Sequence, residues 1–417
     1  MHNLARPGLA GPRAADALDF LLQPCPRDEF LARYFERAPL HVKRGDASYF
    51  SDVYDVSEVE SSMVVGGFEI DKFVMVKTRA PEVSGEALTI ERRAPRARHT
   101  SKAPRFVLDP RCVLTHFDDG YTLVIKDATT FSARLQKFVN RLQQRLGFYV
   151  QTNVYFTPPK AQGFEAHHDT HDTLVMQIEG TKVWKIYEPV VALPVETQPY
   201  SKEEHAAHLR LNREVTLGPG DTLYIPHGFP HEAASAEARS LHVTLAFCPI
   251  RAIDLLEAMI DIAAVTDVEL RRSLPPGWHE SKEFAEQFAA MARERLHLAL
   301  RPGYVQHASE MVLREMFAVT RTETGGTFDE WERFMNMGPL ATVTMRDDTP
   351  YLLRSAGDNK ELLLAGKSIA FPPSYGAVFE RLEHERLTMR EVDDALPGGV
   401  GRAFVKMLLL EGLVAVD

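Results

Sequence analysis

The chain has 417 residues with 48 Lys and Arg against 58 Asp and Glu, a formal net charge of −10 at pH 7. At roughly 100–200 residues per domain this length predicts two or three domains, and 45% hydrophobic with 25% charged residues excludes a disordered, collagen-like or fibrous chain. The acidic balance disfavours non-specific affinity for nucleic-acid phosphates and suits a basic protein or peptide partner.

Cys25, Cys112 and Cys248 lie far apart and form no CxxC pair. They support neither a disulfide framework nor a structural zinc module, and a reducing cytoplasm is expected. Residues 1–19 hold no apolar run of signal-peptide length, and no 18-residue apolar stretch occurs, so a protein neither secreted nor membrane-spanning is expected.

In chain order, Phe30, Leu31, Tyr34 and Phe35 recur at helical spacing, and Pro39-Leu40-His41-Val42 reads as extended. Between residues 77 and 105, Arg92, Arg93, Arg96, Arg98, Lys102 and Arg105 alternate with Pro81, Pro95 and Pro104. This reads as an irregular basic loop, a solvated insertion in preference to an anion- or substrate-facing one. Leu135, Phe138, Val139, Leu142 and Leu146 form one helical stripe, and Gly147 stands where a helix end takes a left-handed residue.

Short β-rich runs follow at 152–156, 173–178, 183–187, 222–225 and 241–247, punctuated by Pro158-Pro159, Glu179-Gly180, Gly218-Pro219-Gly220-Asp221 and His227-Gly228. Such spacing predicts an antiparallel barrel or double-sheet jelly roll. The absence of strand–helix–strand alternation and of GxGxxG argues against a dinucleotide fold. After Pro249 the strands are expected to stop, with helices over 253–265, 284–300 and 305–319 and an apolar stripe of Phe284, Phe288 and Met291. Residues 371–417 read as helix, helix, the turn Pro397-Gly398-Gly399, helix and terminal strand, a winged-helix pattern. Five basic side chains there (Arg381, Arg386, Arg390, Arg402, Lys406) face eight acidic ones, the wrong sign for DNA.

The chemistry concentrates in Gly163-Phe164-Glu165-Ala166-His167-His168-Asp169-Thr170-His171-Asp172, entering a strand, and in Pro226-His227-Gly228-Phe229-Pro230-His231 at the end of another. Side chains two apart on a strand share a face, so His167 and Asp169 can converge on one ion. With one distant His they form two imidazoles and a carboxylate, the set that leaves positions open on non-haem Fe(II). Parity alone also admits His171. His168, His171, His205, His208 and His227 read as supporting or surface residues.

The run Asn153-Val154-Tyr155-Phe156-Thr157-Pro158-Pro159, with Gln162-Gly163-Phe164, His167-x-Asp169, Gln177-x-Glu179-Gly180-x-Lys182-x-Trp184 and Gly218-x-Gly220-Asp221-x-Leu223-Tyr224-x-Pro226-x-Gly228-x-x-His231, resembles the JmjC-type, cupin-fold 2-oxoglutarate oxygenases of the ribosomal oxygenase group. The resemblance runs through Phe247, and the later domain order matches by weaker pattern. It implies Fe(II) on His167, Asp169 and His231, which carry the catalysis, against His171. It also implies Lys182 as the cation for the far carboxylate of 2-oxoglutarate, Thr244 as a hydroxyl on that carboxylate, and Asn153 and Tyr155 as a pocket-lining pair.

On that resemblance the architecture is a mainly β core, a double-stranded β-helix or jelly-roll cupin, with a helical dimerisation region and a C-terminal winged helix. Its domains are a catalytic domain at 1–250 with an N-terminal helical segment, a helical dimerisation region at 251–325, and a winged-helix-like domain at 326–417. The implied activity is hydroxylation of a protein side chain, such as Arg or His of a ribosomal protein, by a homodimer with no membrane or DNA partner. A hydroxylase of a peptide natural product or free amino acid is the rival enzyme, and a non-catalytic cupin regulator the rival from another class.

Overall fold

The computed structural model describes residues 17–65, 69–92, 105–320, 326–396 and 398–417. The chain begins with α1 (Ala17–Leu22) and α2 (Arg27–Arg33), then β1 (Leu40–Val42), α3 (Val56–Val65), β2 (Phe73–Val76) and β3 (Val83–Ser84). Where an irregular basic loop is expected, β4 (Thr89–Arg92) and β5 (Arg105–Leu108) pair as two antiparallel strands. Backbone pairing there needs only four residues a side, too few to show an alternation in sequence. Arg93, Pro95, Arg96, Arg98, Lys102 and Pro104 lie outside the described residues, as does Pro397.

Next come α4 (Pro110–Asp118), β6 (Thr122–Lys126) and α5 (Ala133–Leu146). Ser132 caps α5 by accepting from Leu135 N at 3.2 Å, and Gly147 ends it at φ 72°. The expected stripe is its buried face: Leu135, Phe138, Val139 and Leu142 are all inside. The barrel strands are β7 (Tyr149–Thr157), β8 (Asp172–Glu179), β9 (Lys182–Tyr187), the short α6 (Lys202–His205), β10 (Leu211–Leu217), β11 (Thr222–Ile225), β12 (His231–Ser235) and β13 (Ser240–Cys248). They form an eight-stranded sheet of order β1-β11-β8-β13-β7-β6-β2-β3 and a three-stranded sheet β10-β9-β12. Every pairing is antiparallel.

Pleat alternation decides what each face of the large sheet buries. Val154, Leu174, Met176, Val243, Leu245 and Phe247 face α1 and α5 in the main core. Val175, Leu223 and Ile225 face Trp184, Ile186 and Leu217 of the small sheet. Each such side chain contributes about 1.5–3 kcal/mol on burial, so a one-residue slip in any central strand would exchange core for cavity. β10 and β12 were not expected as strands. β10 is an edge strand whose residues are mostly exposed, and His231-Glu232-Ala233-Ala234-Ser235 carries no β-branched residue, so neither shows an apolar pattern.

After β13 come α7 (Ala252–Thr266), α8 (Phe284–Ala299), α9 (Pro302–Ala318) and α10 (Thr327–Asn336), with α7 and α9 sharing Ala258, Met259 and Ala308. The expectation that strands stop at Pro249 fails. β14 (Thr342–Met345), β15 (Tyr351–Ala356), β16 (Asn359–Leu364) and β17 (Lys367–Phe371) precede α11 (Pro373–His384), β18 (Leu387–Thr388), α12 (Met389–Ala395), α13 (Gly401–Leu410) and β19 (Val414–Val416). β16 buries Leu362 and Leu364 on one core and Leu363 against Met316 and Phe317 on another, so its run of leucines reads as helix or strand with equal ease. This C-terminal part is tied to α5: Asn140 donates to Asp348 O at 2.8 Å, and Lys137 and Arg141 pair with Asp348 and Asp347, each at 2.9 Å. Among the described residues no helix is long and apolar enough to cross a membrane.

Candidate metal centre and its cavity

His167 and Asp169 lie in an extended segment that ends three residues before β8, not on the strand itself. Their convergence comes from an isolated antiparallel bridge: His231 N donates to His167 O at 2.8 Å and His167 N returns to His231 O at 3.2 Å. Gly228 N donates to Asp169 O at 3.1 Å. Gly228 has φ 84°, and a Cβ there would stand 2.2 Å from Val191 O, so this turn admits only glycine.

Beneath the turn, the fully buried Asp172 clasps both segments. Its Oδ1 accepts from His227 N at 2.9 Å and from His227 Nδ1 at 2.5 Å, while Tyr224 Oη donates to Oδ2 at 2.5 Å. Tyr224 Oη in turn accepts from Glu36 N at 2.9 Å. Asp172→Ala would strand several buried groups, each costing about 1–3 kcal/mol. A loss of about 3 kcal/mol is expected in denaturant unfolding, and an unchanged midpoint would show that the clasp holds nothing.

One ligand atom from each of His167, Asp169 and His231 lies within 4.8 Å of the others. His167 Nε2 is 3.8 Å from Asp169 Oδ1, and His231 Nε2 is 3.7 Å from Asp169 Oδ2. Both imidazoles place Nδ1 on a backbone carbonyl, Glu165 O at 2.9 Å and Phe229 O at 3.1 Å, which directs each Nε2 toward the carboxylate. Thr173 Oγ1 donates to Asp169 Oδ2 at 2.9 Å. Burial, then the neighbouring His167, push His231 down to about 4, so its imidazole is neutral at pH 7. Lost hydration works to raise the Asp169 carboxyl, but the three imidazoles of His231, His167 and His171, with Thr173, hold it below its usual value. A neutral imidazole and an ionised carboxylate are what a metal requires of its ligands.

The triad opens on a cavity of about 140 Å³, several times the space of one water. Asn153, Tyr155, His171, Lys182, Trp184 and Thr244 also line it. Lys182 is 4% exposed, and among the described residues its hydrogen bond is to Thr157 Oγ1 at 3.1 Å, with no carboxylate paired to it. Burial alone drives its ammonium down to about 7. Burial, then Asp169, raise the Tyr155 phenol and keep it protonated.

The structure thus brings together His167, Asp169, His231, Lys182, Thr244, Asn153 and Tyr155 around one cavity, and places His171 there as well. His168 is turned toward Gln198 O and Tyr200, His205 packs on Tyr200, and His208 is exposed. His227 is the buried partner of Asp172. Sequence reasoning missed Asp172 and Trp184. Strand parity could have found Trp184, two residues from Lys182, whereas nothing in the sequence pairs Asp172 with His227 across 55 positions.

Residues 126–255 match the model of the JmjC domain. Human ribosomal oxygenase 1 is 32% identical over 273 residues, which is 63% of this chain and 40% of that protein. A bifunctional lysine-specific demethylase and histidyl-hydroxylase NO66 of Culex quinquefasciatus is 29% identical over 263 residues, 61% of this chain and 38% of that one. This chain therefore spans well under half the length of those curated relatives. Among solved structures, Escherichia coli YcfD superposes with a TM-score of 0.58 at 16% identity, covering 94% of this chain and 98% of that one. Residues 126–255 thus match a JmjC domain, and the His-Asp-His cluster, Lys182 and Thr244 all lie inside that matched stretch.

Proposed function

We propose that this protein is an Fe(II)- and 2-oxoglutarate-dependent hydroxylase of a protein side chain. The observation that carries the reading is Lys182: a buried amine with no counter-ion among the described residues, in the same cavity as two imidazoles and a carboxylate. A buried charge is retained where something pairs with it, and a dicarboxylate bound toward the triad would do so. The donor set fits Fe(II) with positions left open. YcfD, of the same fold, has been described in complex with cobalt and 2-oxoglutarate.

When bound, Fe(II) couples oxidative decarboxylation of 2-oxoglutarate, to succinate and CO2, with oxygen insertion into a C–H bond. The chain supplies ligation and orientation. His167, Asp169 and His231 would hold the metal, the two imidazole planes being set by Glu165 O and Phe229 O. Lys182 pairs with the far carboxylate and Thr244 adds a hydroxyl to it. Asn153 and Tyr155, which line the same cavity, orient co-substrate and target.

The target proposed is an Arg or His of a ribosomal protein; the relatives' names, ribosomal oxygenase and histidyl-hydroxylase, support the ribosomal substrate and, of the two residues, His, and the acidic chain suits so basic a partner. Sparse cysteines support a cytoplasmic setting. The test is intact-mass measurement of ribosomal proteins incubated with the enzyme, Fe(II) and 2-oxoglutarate. A gain of one oxygen on one protein is expected, and no gain across the set rejects this substrate class.

The domain division proposed is 1–250 catalytic, 251–325 a helical dimerisation region and 326–417 winged-helix-like, the last serving protein contacts in view of its acidic excess. Ile253, Leu256 and Ile260 of α7 with Phe288 and Leu296 of α8 are exposed apolar side chains, which supports dimerisation through this region. Sedimentation should find a dimer at micromolar concentration. A monomer rejects it.

A further inference from the structure

His242 stands on β13 two residues before Thr244, so the pleat turns both toward the cavity side of the large sheet. It lies directly opposite Tyr155 of β7. The two rings stack at 4.8 Å between centroids with 4° between planes, and Trp184 meets the imidazole edge-on at 5.5 Å. Tyr155 and Trp184 both line the cavity. These contacts fix the imidazole's plane against two side chains of the cavity lining, near enough to Lys182 to feel its charge.

His242 is 2% exposed, and among the described residues nothing pairs with one of its ring nitrogens, Nδ1. A polar atom left unpaired in the interior calls for a ligand or another explanation. Burial, then the charge of Lys182, hold the ring neutral. A neutral ring adds a hydrogen-bond donor next to the ammonium without a second positive charge, which a histidinium could not do.

We propose that His242 is a further co-substrate-binding residue, whose imidazole N–H donates to the same far carboxylate that Lys182 pairs with and so selects 2-oxo diacids over 2-oxo monoacids. The inference rests on the proposed binding of 2-oxoglutarate and adds to it the residue that sets its chain-end selectivity. An aromatic residue kept only for packing on Tyr155 would show no such selectivity, and the two cases separate cleanly by substitution.

The experiment is calorimetric titration of the Co(II)-loaded full chain with 2-oxoglutarate and, separately, with 2-oxovalerate, which has the same 2-oxo acid end and no far carboxylate. His242→Phe keeps a flat ring against Tyr155 and removes both nitrogens. It should weaken 2-oxoglutarate tenfold or more and leave 2-oxovalerate within twofold, while His242→Gln, which retains a neutral donor, should recover most of the loss. If His242→Phe melts early, His242→Leu is titrated in its place with the same expectation. Loss of both acids in equal measure, or an unchanged 2-oxoglutarate affinity, overturns the role of His242 alone. Wild-type protein that binds no 2-oxoglutarate overturns the underlying reading and this inference together.

Discussion

His231→Ala should abolish metal binding and turnover and leave a folded protein. Two remaining ligands hold a divalent ion poorly, and the expected fall in affinity exceeds the roughly 10–100-fold that loss of a mere supporting partner costs. The fold should tolerate the change because the bridge between positions 231 and 167 is made by backbone atoms, which alanine retains. His167→Ala should behave in the same way. His171 lines the cavity but lies outside the close cluster, so His171→Ala should keep its metal. Equilibrium dialysis with Co(II) and a thermal melt on each variant decide the matter, and retention of metal by His167→Ala with its loss in His171→Ala would reverse the ligand assignment.

Lys182→Ala should raise the KM for 2-oxoglutarate by two to three orders of magnitude. Leaving a buried carboxylate without its counter-ion costs about 3–5 kcal/mol, and each 1.4 kcal/mol is a factor of ten. Metal affinity should barely move, because Lys182 lines the cavity but does not belong to the ligand cluster. The same residue predicts a pH dependence. Its ammonium titrates near 7 in the ligand-free protein against an ordinary 10.5, so between those values the unfolded chain holds the extra proton and stability rises with pH. Lys182→Met should therefore melt higher than wild type below pH 7, with the advantage fading toward pH 10. Binding a carboxylate restores the charge, so 2-oxoglutarate affinity should fall as pH climbs above 7 in wild type and stay flat in Lys182→Met. Equal slopes in the two proteins would place the carboxylate elsewhere.

The barrel's central strands were legible because their apolar runs are broken by Gly and Pro at turns, and α5 because its stripe, Ser132 and Gly147 agree on one helix. Among the strands that escaped were β10, β12, β4, β5 and the sheet of β15, β16 and β17. These are short edge or hairpin strands whose backbone bonds are made to partners chosen by the fold, not by an apolar pattern of their own.

In the site, the sequence by itself determined which donors are present: the His-x-Asp, the histidine after the Gly-Phe-Pro turn, and a lysine opening the next strand. Its spacing could not choose between His167 and His171, because parity is the same for both. Tertiary structure made that choice available through two backbone hydrogen bonds between residues 64 positions apart, and through a turn that only Gly228 permits. It also decided the electrostatics. Whether Lys182 is a solvated charge or an ammonium driven down to about 7, and whether His242 is a spare core residue or an imidazole with an unanswered nitrogen, depends on what surrounds each in space. Local sequence specifies chemical groups, and only their burial beside one another sets the protonation and the unmet hydrogen bonds that a ligand completes.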